Sequence, residues 1–352
     1  MRFGTFHLIG APEMQPAERR IRETIDQMVL AEQLGLDKVW VAEHHFSNYG
    51  YATNPLLLIA KAAGLTSRIR FGQAIVVTPF WHPLRLAEDI ALTDILTNGR
   101  LDVGLGRGYQ KMETDAFELK LEESRALFLE QLAILKKAWT EDDFTHHGQF
   151  FTIPRPITVF PRPLQKPYPQ IWIACQSEQT IDWTAEQGFY PIFSGSSGGT
   201  QIFGWRERFL ERWRAAGHAE QNPPTAVQRF AYVSETEDEA RAAMWQPRWL
   251  RRLAGHLRNA DERIVAGRNE EYPVPNEPTD EELWDRVVYG TPERCIAQLR
   301  RDAEMGFTDF IGWFDVGGLP AETVERSMHR FAAEVMPHIP ARPATGDAAA
   351  VR

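Results

Sequence analysis

Short apolar runs rich in Val, Ile, Phe and Trp alternate with longer helix-forming segments from Arg2 to about Val335, and this alternation restricts the fold more than any other feature of the chain. Strands joined through helical crossovers lie parallel, because a parallel pair needs a connection of a dozen or more residues whereas an antiparallel pair needs only a tight turn. Eight strand candidates are read: 2–9, 38–42, 70–77, 101–105, 170–174, 189–194, 225–233 and 309–314. Helices are read at 18–34, 54–64, 82–97, 113–139, 177–187, in an Arg- and Trp-rich segment ending near Gly217, and at 291–305 and 321–335. Gly35 and Gly188 stand where helices end, and Pro55, Pro83 and Pro292 where they begin.

Near-continuous apolar strands belong to sheets covered on both faces, so the pattern predicts an α/β fold, an eight-stranded parallel (β/α)8 TIM barrel with insertions. The competing fold is the doubly wound open sheet, which a Gly-x-Gly-x-x-Gly turn after the first strand would favour. Here Gly104-Leu105-Gly106-Arg107-Gly108-Tyr109 puts Tyr at the third glycine and follows the fourth strand, so that fingerprint is absent. The 352 residues could make two domains, yet such barrels often exceed 250 residues as one. One domain over 1–340 is expected, with insertions near 140–169 and 247–288. The first carries six prolines between 142 and 169 and reads as a hairpin and loop; the second is acidic and Pro-rich at 270–280 and reads as mobile. Residues 341–352, rich in Ala, Pro and Gly, are expected to be disordered.

A net charge of −9 speaks against binding to nucleic acid or anionic membranes, which depends on clustered Lys and Arg. Two cysteines are too few for a disulfide framework, and no basic leader with a long apolar segment opens the chain, so a cytoplasmic protein is expected. The apolar stretch 56–65 is interrupted by Lys61 and too short to span a bilayer.

Chemistry concentrates at strand ends. The second strand runs Val39-Trp40-Val41-Ala42 into Glu43-His44-His45. Imidazoles beside a carboxylate titrate near neutrality and suit general-base or hydrogen-bonding work, and strand C-termini are where barrels keep their active sites. The same pair would also serve as hydrogen-bonded core histidines. A metal site is not expected, because adjacent histidines on an extended segment point to opposite faces and no His-x-x-x-His or Cys-x-x-Cys occurs. Arg107 sits in a glycine-rich turn that could hold a phosphate, or could simply be solvated. Gln176, Ser177 and Thr180 open a helix whose free amides and hydroxyls favour an anion, although ordinary capping explains them as well. Cys175 reads as a small buried hydrophobe and His146-His147 as loop residues.

Several short motifs together carry a family resemblance: Arg2-Phe3-Gly4, Glu43-His44-His45-Phe46, Asn54-Pro55, the run from Gly72 to Pro79, the run from His82 to Asp89, Asn98-Gly99-Arg100-Leu101, Gly104 to Tyr109, and His147-Gly148-Gln149-Phe150-Phe151. With them the chain resembles the bacterial luciferase-like flavin-dependent monooxygenases. The resemblance implies reduced FMN bound at the strand C-termini and, with O2, a flavin hydroperoxide that oxygenates a small, largely apolar organic substrate. It implies His44 as the catalytic histidine and His45 as its catalytic-site neighbour. Arg107, Gln176, Ser177 and Thr180 become the phosphate set, and Ala74-Ile75 a non-proline cis peptide beneath the flavin ring. A separate NAD(P)H flavin reductase and a homodimer follow from the same resemblance. Two alternatives are deazaflavin-dependent hydride transfer and a non-catalytic flavin-binding barrel. Gly106 stands where the luciferase alpha subunit has a reactive cysteine, and a luciferase tryptophan is missing near 192–195, so oxidation of a long-chain aldehyde with light emission is not expected.

Overall fold

The computed structural model, which describes residues 1–340, closes eight parallel strands into a barrel. They are β1 (Arg2–His7), β2 (Lys38–Val41), β3 (Arg70–Gln73, continued at Val76–Val77), β4 (Leu101–Gly106), β5 (Ile171–Cys175), β6 (Tyr190–Ser194), β7 (Ala226–Val233) and β8 (Asp309–Trp313). Register runs from Gly4 opposite Lys38 around to Ala226 opposite Asp309, and Arg2 opposite Asp309 closes the ring. The outer helices that follow these strands are α1 (Ala17–Gln33), α2 (Pro55–Ala63), α3 (Pro83–Leu96), α4 (Ser124–Thr140), α5 (Glu178–Glu186), α6 (Gln201–Ala215), α7 (Pro292–Glu304) and α8 (Ala321–Arg330). All eight residues of β7 are buried, as a strand covered on both faces requires.

The two ends of the barrel differ chemically. At the strand N-termini, inside the barrel, Lys38 Nζ lies 2.7 Å from Asp102 and 3.7 Å from Asp309. Arg70 and Arg2 complete the cluster at 2.6 Å from Asp102 and 2.9 Å from Asp309. Trp40 and Trp172 meet edge to face above it, ring centres 5.3 Å apart. This end is plugged, so the opposite end, where the strands finish, is free to hold a site.

The structure departs from the sequence reading in four places. The third strand is interrupted at Ala74–Ile75, a cis peptide. The helix expected over 113–139 is two: Lys111–Ala116 ends where Glu118 takes a left-handed φ of 57° and Leu119 N bonds back to Thr114 O at 2.8 Å, and α4 starts afresh at Ser124. The stretch 195–199, which reads from its Gly and Ser content as a flexible loop, begins with a short helix, Gly195–Gly198. Val288–Gly290 adds a parallel strand beside the end of β7.

The first insertion contains an antiparallel hairpin, Phe144–His147 with Thr152–Ile157, and His146 bonds Glu130 of α4 at 3.0 Å. The second contains a helix, Trp245–Asn259, a small hairpin at 264–269 and a capped helix, Asp280–Arg286. That hairpin is tied to the loop after β2, with Asn48 N donating to Gly267 O at 2.7 Å and Asn269 N to Asn48 Oδ1 at 3.0 Å. The acidic stretch is held by Arg252, 2.9 Å from Glu271 and 2.8 Å from Glu277. Residues 341–352, expected to be disordered, lie outside the described residues. No helix among the described residues is long and apolar enough to cross a membrane.

Candidate active site

A cavity of about 390 Å³ opens at the C-terminal ends of the strands and beneath the Trp245–Asn259 helix. His44, Ala74, Ile75, Arg107, Gln176, Ser177 and Thr180 all line it, although they come from four separate strand ends. His45 does not. Its ring lies among Phe46, Phe80 and Phe117, with centres 5.0 to 5.5 Å away.

His44 is held from behind. Its Nδ1 lies 3.0 Å from Oε1 of Glu113, a carboxylate delivered by the short Lys111–Ala116 helix and only 1% exposed. A carboxylate only accepts, so the proton of the neutral ring is assigned to Nδ1 and the lone pair to Nε2. No side chain or backbone group among the described residues bonds Nε2. The Gln110 amide lies 3.0 Å from the same Nδ1, and His45 N donates to Glu113 Oε1 at 2.7 Å. Tyr49 and Tyr109 meet the His44 ring edge-on at 4.8 and 5.8 Å and bond each other through their hydroxyls at 3.1 Å. Burial pushes both phenols above their usual pKa, so they remain neutral donors.

Glu43 organises the other wall. Its carboxylate accepts from Val77 N at 2.6 Å and Trp81 Nε1 at 2.9 Å, and lies 3.3 Å from His45 Nε2. Burial raises its pKa despite these bonds. The Val77 bond anchors the segment that presents Ala74 and Ile75 to the cavity. Opposite them, a Cβ at Gly106 would fall 2.4 Å from Ile75 Cδ1, so glycine there gives Ile75 its place.

The polar end gathers around the start of α5. Ser177 Oγ caps the helix through Thr180 N at 3.3 Å and lies 3.0 Å from Thr180 Oγ1. Arg107 is exposed at the rim, and no carboxylate pairs with it among the described residues. Arg258, from the Trp245–Asn259 helix, bonds Gln176 Oε1 at 2.9 Å and sits over the Tyr109 ring, 5.3 Å from its centre. Two or three cationic and hydroxyl donors beside a helix start suit an anion such as a phosphate. Cys175, just before them, is buried with its thiol pushed up to about 12 by desolvation, and is inert packing. Among the described residues no three His, Cys, Asp or Glu side chains gather to hold a metal.

Sequence reasoning missed Glu113, Gln110, Arg251 and Arg258. Glu113 reads as an ordinary acid in a long helix, because nothing marks the break behind it. Arg251 and Arg258 carried a usable signal: seven residues apart, they share one face of a helix in the second insertion.

A family model described as luciferase-like monooxygenase matches residues 1–309. The chain is 32% identical to an uncharacterised protein, y4vJ, of Sinorhizobium fredii, over 96% of this chain and 97% of that one. It is 29% identical to the oxygenase component of the flavin-dependent trigonelline monooxygenase of Acinetobacter baylyi, over 96% and 95%. The crystal structure of monooxygenase RslO1 from Streptomyces bottropensis superposes with a TM-score of 0.84 at 27% identity, covering 96% of this chain and 99% of that one. The match spans the barrel and its insertions alike: the chain belongs to the luciferase-like monooxygenase family, and with it to the flavin-dependent oxidoreductases.

Proposed function

We propose that the protein is the oxygenating component of a two-component monooxygenase, which takes reduced FMN from a separate NAD(P)H flavin reductase and uses O2 to oxygenate a small, largely apolar organic molecule. The observation that carries this reading is one cavity lined both by Arg107, which no carboxylate pairs among the described residues, with the Ser177 and Thr180 hydroxyls, and by His44, whose Nδ1 is held by Glu113. The similarity to an oxygenase component supports the separate reductase.

The residues fit the flavin. Arg107, Gln176, Ser177, Thr180 and Arg258 supply a donor set for the phosphate, and Ala74 and Ile75 supply a flat apolar support for the ring. When bound, reduced FMN supplies the electrons that activate O2. The chain's own residues then do three things. The apolar wall of Phe6, Leu8, Ile192 and Trp313 excludes water. Glu113 fixes the His44 ring with its proton at Nδ1. Nε2 of His44 takes up a proton from the substrate or returns one to the product.

A homodimer is part of the proposal: Leu92 and Leu96, one turn apart on α3, are 48% and 52% exposed, an apolar strip suited to a second copy. Both cysteines are free and buried, which suits the cytoplasm.

The test is to mix the purified protein with reduced FMN under anaerobic conditions and then with O2 in a stopped-flow instrument. Slower flavin reoxidation than in free solution, altered further in His44→Ala, is the expected result. A melting temperature raised by a reduced deazaflavin and unmoved by reduced FMN would overturn the reading in favour of hydride transfer.

A further inference from the structure

The part of the cavity wall around Arg251 has its own chemistry. There Arg251 of the Trp245–Asn259 helix lines the wall beside Ser194, Ser196 and Gln228. Its Nη1 donates to Ser196 O at 2.7 Å, while its Nε is buried with no partner. No carboxylate bonds it among the described residues. Two of the buried arginines differ: Arg20 reaches Asp315 at 2.9 Å, and Arg229 forks onto Asp302 at 2.7 and 2.8 Å. Arg251 instead sits in a locally positive field. Burial first, then the neighbouring Arg286, Arg248 and Arg258, pull its pKa down to about 10, and Glu277 opposes them only weakly.

Gln228, the third residue of β7, repeats the pattern. Its Oε1 accepts from Ser194 Oγ at 3.3 Å, which leaves Nε2 buried without an acceptor. This part of the wall therefore holds two orphaned donors and one uncompensated charge, and the groups beside it are apolar: Phe230, Leu250, Ile311 and Trp313. A half-buried cation and buried donors without partners cost stability unless something arrives to satisfy them. What satisfies a guanidinium fork and an amide N–H together is a pair of anionic oxygens.

We infer that the organic substrate carries a carboxylate, held by Arg251 and Gln228, with its apolar body lying against Phe230, Leu250 and Trp313. This deepens the proposed function and rests on it, since it assumes that the flavin phosphate occupies the Arg107–Ser177 end. The carboxylate orients the substrate. Arg251 and Gln228 are positioning residues that set which carbon faces the reacting centre.

The experiment uses the full-length protein loaded with FMN and matched probe pairs of one shape: benzoate with benzamide, pyridine-3-carboxylate with its amide, and octanoate with octanamide. Binding is measured by calorimetry. At least one carboxylate is expected to bind on the order of tenfold or more tighter than its amide, as a charge-assisted pair implies. In Arg251→Gln that preference collapses to within about twofold, and in Arg251→Lys it is partly kept, while the FMN dissociation constant, read by quenching of flavin fluorescence, stays within about twofold in both. Absence of a carboxylate preference in every pair overturns the inference. So does an Arg251→Gln protein that loses FMN as severely as it loses the carboxylate, because Arg251 would then be holding the flavin. Failure of the wild type to bind FMN at all would instead bring down the proposed function.

Discussion

His44 was legible as an imidazole at a strand end, but its partner was not. Glu113 lies 69 residues further on and reads as one more acid in a helix, and only the fold puts its Oε1 3.0 Å from Nδ1. The pair defines what each residue does. Removing the imidazole in His44→Ala removes the proposed base, and kcat is expected to fall by roughly 10²- to 10⁴-fold. Glu113→Gln keeps the shape but turns an acceptor into an amide that can present either end, so the ring loses its fixed tautomer. Here kcat is expected to fall by about tenfold or more in steady-state assays. An unchanged kcat with a changed melting temperature would reduce Glu113 to a structural residue. His45 illustrates the opposite outcome at the same scale. Adjacent residues on an extended segment point to opposite faces, and the one that faces Glu43 lies in an aromatic nest outside the cavity.

Element by element, the strands were legible because β-branched and aromatic runs fill a doubly covered sheet, whereas breaks inside elements were not. The sequence 104–108 reads as a flexible turn, yet Gly104 and Gly106 are the last turns of β4's pleat rather than a loop. Gly104 is there for close approach: an added Cβ would fall 1.7 Å from the Gln73 backbone oxygen, an atom that cannot swing aside. Gly104→Ala must therefore separate β3 from β4 next to the cavity. A loss of about 3 kcal/mol or more in urea unfolding is expected, at the top of the usual range for overpacking. Gly106→Ala makes the informative contrast, since it meets only the flexible end of Ile75; it should fold with a loss of about 1 kcal/mol and weaken FMN binding several-fold in a fluorescence titration. The break after Ala116 was invisible for a related reason. A left-handed helix end is signalled by glycine, and here Glu118 takes that conformation without one.

For the molecule as a whole, alternation and turn chemistry were enough to read a barrel, because the parallel topology leaves few other ways to cover eight apolar strands. What alternation could not show is the charged plug at the far end, whose members begin five different strands and meet only on closure. Burial alone would raise the Asp102 carboxyl, but Arg70 and Lys38 overcome it and hold it well below the usual carboxylate range; at Asp309, Lys38 and Arg2 overcome burial in the same way. Carboxyls whose folded pKa is depressed contribute stability that is fully present above the unfolded value, about 3.9 for Asp, and is lost as pH falls through the folded value. The melting temperature is accordingly expected to hold from pH 7 to about 5 and to drop steeply below about 4. Lys38→Met takes away the cation shared by both carboxylates. It should cost about 2 to 3 kcal/mol at pH 7, less than stranding a lone buried charge, because Arg70 and Arg2 still pair the two carboxylates. It should also move the acid transition to higher pH, because both carboxyls then titrate closer to their unfolded value. Thermal melts of the two proteins between pH 3 and 7 decide the matter: curves that stay parallel across the range would mean that Lys38 acts only by filling space beneath Trp40 and Trp172.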